Sequence, residues 1–220
     1  MPKVGVILSG CGYLDGSEIT ESVITLLALD RAGAEVFCFA PSIEQRQVSN
    51  HLTGELTTES RNVLTESARV VRGKISDLSK ANANELDALI LPGGFGAALN
   101  LSSFGIEGAS ANIHDGLATL LHEMHEQKKP IGGICIAPAL LALALGDDKP
   151  LLTIGDDVTT ANELEKLGAQ HKDCVVQGAV TDEQKKIVTC PAYMYEAPIK
   201  DIASGIETLV EEVIRLCGDS

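Results

Sequence analysis

Cys135 lies in the stretch PIGGICIAPALLALAL, between an apolar run with two glycines and an apolar run rich in Ala and Leu. The first run is typical of a buried strand, and Pro138 is typical of the first turn of a helix. A thiol at such a junction lies near unpaired N–H groups and the positive end of a helix dipole, which favour a thiolate. We therefore interpret Cys135 as a nucleophile at a sharp strand-to-helix turn, in preference to a small buried hydrophobe.

Two acids, Asp15 and Glu18, follow the first apolar run of the chain. Their D-x-x-E spacing fits a capping box, in which Glu18 bonds back to the start of a helix. Glu18 would also lie at the same edge of a parallel sheet as Cys135, where the two groups could share one proton. The residues alone leave both roles open.

Other chemistry-bearing segments give weaker signals. PGGFG, residues 92–96, predicts either a tight turn or backbone N–H groups that hold an oxyanion. GCGYLD begins like a dinucleotide fingerprint, but Asp15 stands in place of the third glycine. His122 and His125 in HEMHE are predicted to be solvated residues on a helix face rather than metal ligands, and Cys11 is a candidate for a pocket wall. We expect neither a cofactor nor a metal.

Short apolar runs alternate with segments of helical period along the chain. The predicted strands lie within Val4–Gly10, Ala34–Ala40, Leu86–Gly94 and Lys129–Cys135, and the predicted helices within Ile19–Leu27, Leu117–Met124 and Ile199–Leu216, with Gly218 as the stop signal of the last. This alternation predicts a mostly parallel sheet covered by helices on both faces. Residues 173–180 and 186–192 predict a hairpin at one edge, in which Cys174 and Cys190 pack, whereas Cys38 and Cys217 are expected in the core. We expect one domain, 1–220, with a polar insertion around 41–84 that holds one helix near Glu59–Val70.

Composition narrows the function class. The formal net charge of −14 disfavours nucleic acid, and an aromatic share of 3% without Trp provides few stacking surfaces. A small-molecule ligand is the better expectation. Neither an export signal nor a membrane span is expected, and six cysteines without a CxxC pair fit reduced thiols in the cytoplasm, or in the mitochondrial matrix of a eukaryote.

Several motifs together resemble the ElbB-type proteins of the ThiJ/PfpI superfamily, which carry a class I glutamine-amidotransferase-like domain. The matching stretches are SGCGYLDGSE (9–18), ESRNVL (59–64), PGGFGAALNL (92–101), CIAP (135–138) and PAYM (191–194), and the likeness covers nearly the whole chain. The resemblance implies a flavodoxin-like three-layer sandwich, a homodimer, a strained cysteine elbow and a weak glyoxalase activity that needs no cofactor. It also implies a link to isoprenoid biosynthesis as physiological context.

The resemblance also implies site residues. Cys135 matches the elbow nucleophile and Glu18 matches the acid at the start of the first helix, while the backbone N–H groups of Gly94 and Ile136 match the oxyanion hole. We take Cys11, Gly93, Asn100 and Tyr193 as candidate pocket residues. Ile136 stands where protease-like members carry His, which argues against a peptidase or a working glutaminase, and Leu99 stands where many relatives carry Lys.

The leading hypothesis is an enzyme that converts glyoxal, or a related small 2-oxoaldehyde, to a 2-hydroxy acid. Cys135 would add to the aldehyde and Glu18 would move the proton. Two alternatives use the same cysteine without catalysis in the cell: a redox or electrophile sensor, and a metabolite-binding interaction module.

Overall fold

The computed structural model describes residues 1–218. The strands are β1 (Lys3–Ile7), β2 (Glu35–Ala40), β3 (Ser76–Asp77), β4 (Ala88–Leu91), β5 (Ile131–Ile134), β6 (Leu151–Leu152), β7 (Gln170–His171), β8 (Val180–Asp182) and β9 (Ile187–Cys190). The helices are α1 (Ile19–Arg31), α2 (Val63–Val70), α3 (Phe95–Leu99), α4 (Phe104–Glu107), α5 (Asp115–Glu126), α6 (Pro138–Leu145), α7 (Val158–Lys166) and α8 (Ile199–Gly218).

Seven strands form one sheet in the order β3-β2-β1-β4-β5-β9-β8. All neighbouring pairs are parallel except β8 with β9. One face packs against α1 and α8, and the other against α3, α5 and α6, so that each face has its own apolar core. The expected flavodoxin-like, amidotransferase-like sandwich is confirmed. Because the parallel strands end at one edge, the loops after β1, β4 and β5 meet there.

The antiparallel hairpin at the sheet edge is present, but its first strand is shorter than expected. Only Val180–Asp182 pairs with β9, whereas residues 173–179 form loops and turns. This loop crosses α8, where Gly205 leaves room for the carbonyl of Val176. Cys190 is buried in β9 as expected, whereas Cys174 lies in the crossing loop outside the hairpin.

The segment 41–84 contains the expected helix, α2, which begins at Val63 rather than near Glu59. It also contributes β3, which pairs with β2 at the other edge of the sheet and which the sequence pattern did not predict. A separate two-stranded sheet, β6 with β7, and the helix between those strands, α7, were also not predicted. Within residues 1–218, no helix has the length and apolar character needed to cross a membrane.

Candidate active site

Cys135 lies at the turn between β5 and α6, with its backbone in the left-handed region at φ 59°. The turn is fixed on both sides: the N–H of Cys135 donates to the carbonyl of Cys190 at 2.9 Å, and the N–H of Ala137 donates to the carbonyl of Ile134 at 2.9 Å. Pro138 is the first helical residue, as predicted. A residue other than Gly in this conformation is strained by about 1–2 kcal/mol, and such strain is typical of functional turns.

Glu21 is the carboxyl group that contacts the Cys135 thiol, and a side-chain hydrogen bond joins the two groups. The Glu21 side chain is fully buried. Its Oε2 accepts the N–H of Gly93 at 2.9 Å, and its Oε1 accepts the N–H of Tyr193 at 3.3 Å. Both oxygens are therefore held in place beside the sulfur.

The expectation that Glu18 pairs with the thiol is corrected by this geometry. Glu18 is the N-cap of α1, and its Oε2 accepts the N–H of Glu21 at 2.5 Å. The proposed capping role of Asp15 is also wrong: its buried carboxylate accepts the N–H of Ser49 at 2.7 Å. The loop after β1 thus continues through Ser17, and the helix begins three residues later than the D-x-x-E pattern suggested.

Burial sets the electrostatics of the pair. Desolvation, followed by the charge of Glu18, raises the pKa of Glu21 to about 8. Desolvation and the charge of Glu21 raise the pKa of the Cys135 thiol, while the N–H groups of Gly94 and Ile136 act on the sulfur in the opposite direction. Since two charges side by side are disfavoured, the pair that has lost one proton shares the other between Sγ and the carboxyl group.

Gly94 and Ile136, the expected oxyanion donors, both direct their backbone N–H groups at the sulfur. Gly94 adopts φ 94°, and a Cβ there would collide with the backbone of residues 16–18. The two N–H groups are therefore positioned where an oxyanion on a carbon bound to Sγ would form, and their role as donors stays a prediction.

Gly93 lies directly beneath the pair. A Cβ at this position would stand 2.5 Å from the Cβ of Cys135 and 2.8 Å from the Oε2 of Glu21. We expect Gly93→Ala to separate the two groups and to destabilise the fold by about 1–3 kcal/mol, because a packed core does not yield easily. Urea unfolding measures this change. Gly116→Ala, whose Cβ would approach only the His114 side chain at 3.2 Å, is the control; equal stability of the two variants would contradict the prediction.

A cavity of about 800 Å³ opens above the sulfur. Its wall is formed by Tyr13, Glu18, Gly94, Phe95, Cys135, Ile136, Asp157, Thr160, Tyr193, Met194, Tyr195 and Glu196. The lining thus includes the expected Tyr193 but not Cys11, Gly93 or Asn100. The Asn100 amide instead donates to the carbonyls of Ser9 and Asp15, and Leu99 at the end of α3 packs beside Gly105.

The PAYM segment, residues 191–194, has a role that the sequence did not reveal. Residues Ala192–Met194 form a 3₁₀ turn directly after β9, with Ala192 at φ 43°. This turn directs the N–H of Tyr193 at Glu21 and places the Tyr193 ring on the cavity wall. The motif thus helps to position the acid through its backbone, a contact between residues 172 positions apart.

A parallel sheet with a strained cysteine after one strand and a buried acid from the first helix defines a class I glutamine-amidotransferase-like domain with a cysteine elbow. The profile of the DJ-1/PfpI family matches residues 11–195, and the chain belongs to that family.

Individual relatives agree with this assignment. The human "Glutamine amidotransferase-like class 1 domain-containing protein 3, mitochondrial" is 43% identical over 226 residues, which cover 98% of this chain and 84% of that protein. The rat "ES1 protein homolog, mitochondrial" is 42% identical with the same coverage. The crystal structure of an isoprenoid biosynthesis protein with amidotransferase-like domain from Ehrlichia chaffeensis has a TM-score of 0.92 and 36% identity, and the match covers 98% of this chain and 99% of that one. The resemblance drawn from the motifs is confirmed.

Proposed function

We propose that the protein is a weak glyoxalase that converts glyoxal, or a related small 2-oxoaldehyde, to a 2-hydroxy acid without cofactor or glutathione. The observation that supports this most directly is the Cys135–Glu21 hydrogen bond at the floor of an open cavity. Two backbone N–H groups on the sulfur add the means to stabilise an oxyanion. Among the described residues, no histidine lines the cavity, which disfavours Cys-His peptidase chemistry.

The proposed reaction begins with attack of Sγ on one aldehyde carbon of glyoxal, while the proton of the pair passes to Glu21. The N–H groups of Gly94 and Ile136 hold the new oxyanion, which is then protonated to a hemithioacetal. Transfer of the C–H proton from the attacked carbon to its neighbour gives a glycolyl thioester. Water cleaves this thioester to glycolate and regenerates the thiol, so that glyoxal plus water gives glycolic acid.

Glu21 is the group proposed to move the carbon-bound proton, because its bond to Sγ places it next to the carbon that the sulfur attacks. Glu18 lines the cavity and adds to the raised pKa of Glu21. Glu18 is thus a positioning residue in this scheme.

The direct test is to incubate the purified protein with glyoxal in the absence of glutathione and to measure glycolate. Acid quenching during turnover, followed by peptide mass analysis, identifies the thiol that carries a glycolyl group. We expect glycolate and an adduct on Cys135. Absence of glycolate, or an adduct confined to another cysteine, would reject the proposal.

We propose in addition that the protein forms a homodimer through α1. Ile19, Val23 and Leu27 recur every fourth residue along this helix, and their exposures are 46%, 48% and 43%. Such a row of large apolar side chains on one helix face is typical of a contact surface.

Val23→Glu is expected to convert the dimer to a monomer, because the contact would bury an unpaired charge. Sedimentation velocity measures the change. Val158→Glu is the matched control, since Val158 is 70% exposed on α7. A dimer that survives Val23→Glu, or that Val158→Glu disrupts equally, would place the interface elsewhere.

For the cellular location we propose a reducing compartment, since the six cysteines are free thiols. The names of the human and rat relatives include the word mitochondrial. We therefore propose the mitochondrial matrix if the source is eukaryotic and the cytoplasm if it is bacterial.

A further inference from the structure

Aromatic residues are concentrated at the cavity. The chain has three tyrosines, four phenylalanines and no tryptophan. All three tyrosines, Tyr13, Tyr193 and Tyr195, line the cavity together with Phe95. These residues come from three separate segments at the carboxyl edge of the sheet, which follow β1, β4 and β9. The Tyr13 ring makes an edge contact with His51 at 5.5 Å between centroids. Four of the seven tyrosine and phenylalanine residues of the chain therefore line this one cavity.

The charged groups of the same wall all have one sign. Glu18, Asp157 and Glu196 line the cavity, and none of the lining residues is Lys, Arg or His. Within residues 1–218, none of these three carboxylates forms an ion pair with a basic side chain. The three carboxylates would repel an anionic ligand. A cation would be attracted by these carboxylates and also by the negative faces of the rings.

Helix capping accounts for two of the acids but not for the third. Glu18 caps α1, and Asp157 caps α7 by accepting the N–H of Thr160 at 3.0 Å. Glu196 is exposed and lies outside any helix, directly after Tyr195. Because its carboxylate forms no ion pair within residues 1–218, it is available to a ligand in the cavity.

We propose that this cavity selects ligands that carry an organic ammonium group, which is seated among the tyrosine rings with Glu196 as its counter-charge. The inference rests on the proposed function for one point only: in a substrate, the carbonyl group would face Cys135 while the ammonium group occupies the outer, aromatic part of the cavity. The substrate class is then an aldehyde with a cationic amine, favoured over neutral and carboxylate-bearing aldehydes.

The test uses the wild-type protein with ring-labelled tyrosine, because its three tyrosine signals all report on the cavity wall. The probes are choline, its uncharged analogue with a tert-butyl group in place of trimethylammonium, and pivalate as the anion. We expect choline to shift the tyrosine signals with a Kd about tenfold lower than that of the analogue. Pivalate is expected to shift none. Equal affinity for choline and its analogue, or absence of any shift with choline, would overturn the proposal.

Glu196→Gln supplies the second arm of the test. It is expected to raise the Kd for choline about threefold to tenfold and to leave the Kd of the uncharged analogue unchanged. Glu211→Gln makes the same change of charge on the exposed face of α8 and is expected to change neither. An equal effect of the two variants would assign the preference to overall charge and overturn the proposal. Choline is not an aldehyde, so a protein that binds it without glyoxal turnover keeps this inference and rejects only the glyoxalase.

Discussion

Cys135→Ala reduces glycolate formation from glyoxal to the rate of protein-free buffer, a loss of at least about 1,000-fold in kcat/KM. The variant keeps the backbone of the elbow, because Ala tolerates φ 59° about as well as Cys does. What it removes is the atom that bonds to the aldehyde carbon. The measurement is the initial rate of glycolate release, with thermal unfolding to verify that the variant is folded.

Cys11→Ala is the matched control for this loss. Cys11 is a partly exposed thiol after β1, and it does not line the cavity. We expect this variant to retain wild-type turnover. Retention of turnover by Cys135→Ala, or an equal loss with Cys11→Ala, would mean that the elbow thiol is not the nucleophile.

The strands that carry the site were predictable because they are buried on both faces. Val4, Val6, Ile90 and Ile131 lie in continuous apolar runs, and such runs identify the centre of a parallel sheet. The strands of two residues were not predictable, because β3, β6 and β7 are too short to show a period. These short strands pair with their neighbours because the surrounding segments bring them together. That contact depends on the tertiary structure, so the local sequence does not show it.

The elbow was predictable from local sequence, whereas its acid partner was not. Gly133, Cys135 and Pro138 lie within six residues, so one stretch specifies the turn. The acid depends on where α1 begins, and the sequence offers Asp15, Glu18 and Glu21 three residues apart. The choice follows from the burial of Asp15 against the backbone of Ser49, which lies 34 positions away. No local pattern contains that contact.

Glu21→Gln lowers turnover of glyoxal at about pH 8 by a factor of about 100 or more, because the amide can neither accept the thiol proton nor carry the carbon-bound proton from the attacked carbon to its neighbour. Glu18→Gln is the matched comparison. It removes a negative charge that raises the pKa of Glu21, and the rise of turnover with pH should therefore move to lower pH. The full pH profile of kcat/KM separates the two variants. A profile for Glu18→Gln that loses as much activity as Glu21→Gln at every pH would return the catalytic role to Glu18.

The same Glu21→Gln variant should gain stability relative to wild type as the pH rises. The pKa of Glu21 is raised from 4.5 to about 8 by folding. Between these values the unfolded chain loses the proton while the folded chain keeps it, so that the free energy of unfolding falls with increasing pH. From about pH 5 to about pH 8.5, one such group costs wild type about 4 kcal/mol. The amide side chain of the variant does not titrate and escapes this loss, although it leaves one backbone N–H less well paired at every pH.

Urea unfolding of wild type and Glu21→Gln across this pH range measures the difference, and Glu211→Gln serves as a control that should run parallel to wild type. Repeating the comparison with Cys135→Ala in both proteins identifies which group loses the proton. If the difference in the free energy of unfolding between the proteins with and without Glu21→Gln still depends on pH in the Cys135→Ala background, Glu21 is the group that titrates. If the difference disappears, the sulfur is the group that ionises first, and Glu21 then acts as a proton donor to a thiolate. A difference that is independent of pH with the thiol present would mean that Glu21 ionises as freely in the folded protein as in the unfolded chain, and would contradict the rise of its pKa by burial.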